Sequence, residues 1–168
     1  MSIWWSLHLR REAASVPLAR RLLLGTMETA GVDPDVSYDL SLALSEACAN
    51  AVEHGGDNGG DTLTHGPAEA YRVTAYLDGE TCRIEVTDSG PGFPAAAPHP
   101  PGPDRPGRHA HWPLTRVARS DDENGRGLGL IRELADHVHI GNKPGRGGAV
   151  VSFDKILKWR DDSPLVTV

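Results

Sequence analysis

Cysteine is almost missing from this chain. Two occur in 168 residues, Cys48 and Cys82, far apart and inside regular elements. That excludes a disulfide framework and a CxxC metal or redox site. Lysine is scarce too: Lys143, Lys155 and Lys158 are the only three, and none stands in a Gly-Lys-Ser/Thr context. A Walker A phosphate loop is therefore excluded. No apolar run approaches the roughly 18 residues needed to cross a bilayer. The opening "MSIWWSLHLRREA" puts Trp and Leu ahead of its charges, the reverse of a secretory signal. Basic clusters are lacking as well, since 17 Lys and Arg are spread along a chain of net charge −6. This argues against nucleic acid or an anionic membrane as the main partner. There is no GxSxG nucleophile elbow and no internal repeat. What remains is the expectation of a cytoplasmic protein with reduced thiols, a single domain over residues 1–168.

Periodicity gives the elements. Trp5, Leu7 and Leu9 alternate with polar neighbours, as in a half-buried strand. Ser15 with Pro17 marks a helix start; Val16, Ala19, Leu23, Met27 and Ala30 follow at helical spacing, and Gly31 is a stop. A second helix is expected from Asp33-Pro34 to about His54, before the glycine-rich residues 55–69. Val73, Ala75 and Leu77 form one strand; Cys82, Ile84 and Val86 form the next. Asp78-Gly79 between them predicts a type I′ hairpin with both central residues at positive φ.

A proline-rich loop of some thirty residues follows, about 93–124, too long for an idle connection in a compact domain. Its His99, His109 and His111 lack cysteine partners and are read as solvated rather than zinc-binding. Beyond it lies a helix with Leu130, Ile131, Leu134, Ala135 and Val138 on its inner face. Two strand-like runs, "HVHIG" and "GAVVSFD", are joined by a turn over residues 143–148. The order β-α-α-β-β-loop-α-β-β predicts an α+β two-layer sandwich, with helices on one face of a largely antiparallel or mixed sheet.

Three stretches carry chemistry. In "LSEACANAVEHG", Leu40, Leu44, Ala47 and Ala51 make the apolar stripe, and Glu46 and Asn50 lie four apart on its flank. The plain alternative is a solvated Glu–Asn edge. The functional one is a carboxylate and an amide oxygen side by side, suited to Mg²⁺ and to polarising a nucleophile. In "IEVTDSGPGF", Asp88 shares the parity of the core-facing Cys82, Ile84 and Val86. A buried carboxylate without a partner is costly, so Asp88 is either a strand-end turn former or an acceptor awaiting a ligand N–H. Gly90 and Gly92 leave the adjacent backbone bare for something flat. "GPGFPA" formally matches a dinucleotide fingerprint, but Pro91, Pro94 and the prolines beyond them forbid the helix it requires. In "NGRGLGLIRELADHV", Gly125, Gly127 and Gly129 precede a helix, leaving N–H groups exposed where the helix dipole favours anions.

Together these stretches, in this order, resemble the GHKL ATP-binding (Bergerat) fold of histidine kinases, gyrase B, Hsp90 and MutL. Within it they are most similar to the small bacterial anti-sigma-factor serine kinases. "SEACANAVEHG" resembles the N box, "VTDSGPGF" the first glycine box and "GRGLGLIRELAD" the second. The resemblance implies ATP and Mg²⁺ as cofactors. It gives Asp88 to the adenine amino group, Gly90 and Gly92 to the adenine-side backbone, and Asn50 to Mg²⁺. Glu46 becomes the general base. Gly127, Leu128 and Gly129 meet the phosphates, and Gly125 hinges a lid formed by the long loop. One departure stands out: Ala149 occupies the place where the family commonly has a Thr that supports the adenine-binding Asp. The implied function is a serine/threonine kinase that phosphorylates an anti-sigma-factor antagonist and sequesters a sigma factor, with room for a homodimer. The rival is a non-catalytic, nucleotide-gated protein-binding module.

Overall fold

In the computed structural model, which describes residues 2–54, 70–88, 125–143 and 148–161, alternation becomes strand and 3.6-residue periodicity becomes helix in the expected order. Strand β1 spans Ile3–Arg10, helix α1 Ser15–Ala30 and helix α2 Pro34–His54. Strands β2 (Ala70–Leu77) and β3 (Thr81–Asp88) follow, then helix α3 (Gly125–Leu134) and strands β4 (His137–Asn142) and β5 (Ala149–Ile156). The sheet order is β1-β2-β3-β5-β4, and all four pairings are antiparallel. The sandwich is thus as expected, without parallel pairs.

The last hairpin explains the order. β4 lies at the edge and β5 turns back between it and β3, with Lys143 N–H donating to the Gly148 carbonyl at 2.9 Å. Because β5 runs antiparallel to β3, the start of β5 lies beside the end of β3. That juxtaposition places Ala149 next to Asp88.

One face of the sheet is the core. Val73, Val86 and Val151 are register partners across three strands, and Ala75, Ile84 and Phe153 form the next row. All six are buried beneath the helices. Each large aliphatic or aromatic side chain so buried contributes about 1.5–3 kcal/mol. α2 contributes Leu40, Leu44, Ala47 and Ala51, as its stripe predicts. It packs on β2, β3 and β5 and also touches α1 and α3. The opposite face carries Trp4, Tyr76, Arg83 and Asp154, one register row.

Three details differ from the expectation. In α1 the buried set is Ser15, Ala19, Leu23, Met27 and Ala30, with Val16 only half-buried. Ser15 can take the inner place because its hydroxyl is hydrogen-bonded there. In the β2–β3 hairpin, Asp78 N–H donates to the Thr81 carbonyl, so Gly79 and Glu80 are the central pair. Neither has positive φ. The Asp78 carboxylate accepts the N–H groups of Glu80 and Thr81 at 2.8 and 2.7 Å, bracing a turn that the type I′ geometry would otherwise supply. Those bonds hold the Asp78 carboxyl below its ordinary pKa. Finally, α3 ends at Leu134, and Val138 belongs to β4, opposite Phe153. Only Ile131 of the α3 face is fully buried.

Gly31 caps α1 in the left-handed region (φ 86°), with its N–H on the Glu28 and Met27 carbonyls. Both cysteines are free and buried, and burial pushes each thiol up to about 12. They are packing groups, not reactive ones. No helix among the described residues is long and apolar enough to cross a membrane.

Candidate functional site

Two clusters form around α2. At the first, Glu46 and Asn50 stand one turn apart on the helix flank, and the N-terminal turn of α3 packs against them. Gly127 is the contact. A Cβ at that position would lie 3.0 Å from Glu46 Oε2 and 3.6 and 3.7 Å from the Asn50 side-chain amide atoms. The fold therefore brings together residues that the sequence separates by two strands and a long loop. The Asn50 amide nitrogen is buried and has no hydrogen-bond partner among the described residues. A buried donor left unmade costs about 1–3 kcal/mol. This orphan stands beside a carboxylate and the first turn of α3.

The second cluster surrounds Asp88, the last residue of β3, only 7% exposed. Its Oδ1 accepts the backbone N–H of Ala149 at 3.0 Å. Gly148, at φ +105°, makes this approach possible: a Cβ there would collide with the Asp88 carbonyl oxygen. Its positive φ is also poorly tolerated by residues other than glycine. Ala149 has no hydroxyl to offer, but its main chain holds the carboxylate directly. On the other side of β3, Asp88 is the register partner of Tyr71, which is fully buried. The sequence reading singles out neither Gly148 nor Tyr71. The usable signals were a glycine pair ahead of a strand and a phenol in phase with Val73, Ala75 and Leu77.

The clusters share α2. Tyr71, beside Asp88, lies close to Cys48, which stands between Glu46 and Asn50 in the helix sequence. The other named residues are distributed as follows. Gly125 opens α3. Leu128 is partly buried against the core. Gly129 has no atom within 4 Å of where its Cβ would be. Gly90, Gly92, the histidines 99, 109 and 111, and the loop 93–124 lie outside the described residues. A groove of about 610 Å³ between β1 and α1 is lined by Ile3, Leu18, Leu22 and Gly25 among others, and none of the site residues borders it.

The donor set fits a phosphate-bound Mg²⁺. That ion takes hard oxygens, keeps several waters and needs only one or two protein oxygens; the Asn50 amide oxygen and the Glu46 carboxylate can supply them. No group of three or more His, Cys, Asp or Glu suited to a metal occurs among the described residues, so a cage built wholly of protein ligands is not what these residues offer. The α3 N-terminus, with a glycine facing Glu46 and Asn50, offers N–H groups to anionic oxygens.

The family model for the histidine kinase-like ATPase domain matches residues 9–155. Among solved structures, the RsbU and RsbW domains of Rv1364c from Mycobacterium tuberculosis are similar in fold, with a TM-score of 0.56 at 19% identity. That match covers 92% of this chain and 33% of the other, so the present chain spans about a third of its length. The mycobacterial sensor histidine kinase MprB matches with a TM-score of 0.45 at 16% identity, covering 93% of this chain and 100% of that one. A search of curated protein sequences gives no match.

Proposed function

We infer function from one premise: the chain belongs to the histidine kinase-like ATPase family, whose members bind ATP. The finer reading is a Mg²⁺- and ATP-dependent serine/threonine protein kinase, located in the cytoplasm. Its protein substrate is an anti-sigma-factor antagonist, and its second partner is a sigma factor that it sequesters. The observation that carries this reading is the meeting of Gly127 with Glu46 and Asn50. A base, an amide and a helix N-terminus then face one point.

Roles follow from the chemistry of each group. Asp88, its carboxylate fixed by Ala149, accepts an N–H from the adenine amino group. The α3 N-terminal N–H groups receive phosphate oxygens. Asn50 offers its amide oxygen to Mg²⁺, which when bound neutralises phosphate charge. Glu46 takes the proton of the substrate hydroxyl as that oxygen bonds to the γ-phosphorus and the bond to the ADP oxygen breaks. Such a transfer needs positioning and charge neutralisation more than covalent help.

The test is Glu46→Gln, assayed with Mg-ATP and a purified antagonist protein. Calorimetry should show nucleotide affinity within about twofold of the native chain, while phosphate transfer falls by 10²–10⁴-fold, the range for losing a general base. Undiminished transfer would overturn the assignment and leave a nucleotide-gated binding module as the better reading.

A further inference from the structure

Tyr71 is an unusual residue for its place. The other inward side chains of β2, Val73, Ala75 and Leu77, are aliphatic, and Tyr71 is as buried as they are, at 2% exposure. A phenol needs a hydrogen-bond partner when buried, and Ser15 supplies it. The Tyr71 hydroxyl lies 2.6 Å from Ser15 Oγ. Ser15 Oγ in turn donates to the Glu12 carbonyl at 2.7 Å.

The directions of these bonds follow by elimination. Serine has one proton, and Ser15 gives it to Glu12. Tyr71 must then donate to Ser15. Both protons are used once, from β2 to the start of α1. A buried polar network that is fully satisfied specifies one arrangement more strictly than apolar packing does.

The ring so held stands beside Asp88. The two are register partners on the core face, which sets their Cβ atoms about 4.5–5.5 Å apart. Asp88 is therefore bounded on the β5 side by the Ala149 N–H and on the β2 side by a tyrosine with little rotational freedom. A carboxylate fixed in direction can distinguish a donor from an acceptor at one position of a base. One free to turn discriminates less.

We propose that Tyr71, locked by Ser15, is a positioning residue that sets the base specificity of Asp88. The proposal rests on the reading of Asp88 as the adenine acceptor. Its substrate consequence is selection of a purine bearing a 6-amino donor over one bearing a 6-oxo acceptor.

The experiment measures Kd for Mg-ATP and Mg-ITP by calorimetry on the full chain and on Tyr71→Leu, Tyr71→Phe, Ser15→Ala and Asp88→Asn. The native chain should prefer ATP. Tyr71→Leu should cut the ATP/ITP ratio about tenfold, and Tyr71→Phe and Ser15→Ala about threefold each, as expected for losing one oriented hydrogen bond. In each case the loss should fall on ATP, with ITP binding little changed. If the Tyr71 and Ser15 variants weaken both nucleotides alike, or leave the ratio intact while Asp88→Asn collapses it, Tyr71 is structural and the inference fails alone. If the native chain shows no preference, or Asp88→Asn leaves one unchanged, the adenine reading itself falls and takes the inference with it. Should Tyr71→Leu not fold, Tyr71→Phe and Ser15→Ala still deliver the ratio.

Discussion

The two ends of the site are built in opposite ways. Around Asp88 the polar groups are tied before any ligand arrives: Ala149 donates to the carboxylate, Gly148 fits against its carbonyl and Tyr71 is held beside it. Around Asn50 they are not. The Asn50 amide nitrogen is buried without a partner among the described residues, and Gly127 keeps its side of the contact bare. One end is preorganised, and the other stores unsatisfied hydrogen-bonding capacity. On the proposed reading this division suits a nucleotide: a neutral base would be read by fixed geometry, whereas phosphate and its cation would supply enough electrostatic energy to repay a costly, open site.

Breaking the preorganised end should have the largest effect on the fold. Gly148→Ala forces a side chain into φ +105° and onto the Asp88 carbonyl. A left-handed conformation alone costs about 1–2 kcal/mol. Displacing the backbone at a buried junction should bring the loss to about 2–4 kcal/mol, the upper part of the usual range for single substitutions. Urea denaturation checks this. A loss under about 1 kcal/mol would mean that β5 slides past β3 easily and that the Asp88 end is not rigid.

The open end should respond with the opposite sign. Gly127→Ala removes a helical glycine, worth up to about 1 kcal/mol of stability. The new Cβ would crowd only the far end of the Glu46 side chain, which can move aside, and would make ordinary contact with the Asn50 amide. The ligand-free chain should therefore unfold at the same or slightly higher denaturant concentration. On the proposed reading, Mg-ATP affinity should nevertheless fall about tenfold, equal to 1.4 kcal/mol, because the methyl group and the displaced Glu46 would occupy the space assigned to phosphate. A variant that is both more stable and equally good at binding would show that the open end needs no glycine there.

The same contrast explains what could be read from the sequence. Glu46 and Asn50 were legible as a pair because four residues on one helix is local geometry. Asp88 stood out by strand parity, a period of two over a few residues. The sandwich and its element order followed from periodicity alone. The meeting of Gly127 with α2 was not legible from spacing, since nothing in "NGRGLGL" fixes where α3 lands; resemblance to a known family supplied it. The bond between Ser15 and Tyr71 joins α1 to β2 through side chains, and no periodicity encodes that. For the same reason Val16, apolar and in phase, was expected inside where Ser15 is found. The hairpin was expected to turn at Asp78-Gly79, yet a carboxylate accepting two backbone N–H groups moved it one residue along.

The smallest effect is expected away from both ends, and it serves as their control. His137 Nδ1 lies 2.7 Å from Asp154 Oδ1 on the exposed face of the sheet. The hydrogen bond and the charge of Asp154, aided by Asp136, raise the imidazole above its ordinary 6.5. A raised histidine binds its proton more tightly in the folded chain than in the unfolded one. Its contribution is thus complete below pH 6.5 and fades as pH rises through the folded-state value. His137→Gln should therefore lower Tm slightly at pH 6, and the difference should shrink as pH is raised to 9. The side chain is solvent-exposed, so the gain should also shrink in high salt. Mg-ATP affinity should stay constant throughout, because the pair borders neither Asp88 nor Asn50. A Tm difference that persists at pH 9 would show that His137 stabilises β4 by packing rather than by charge.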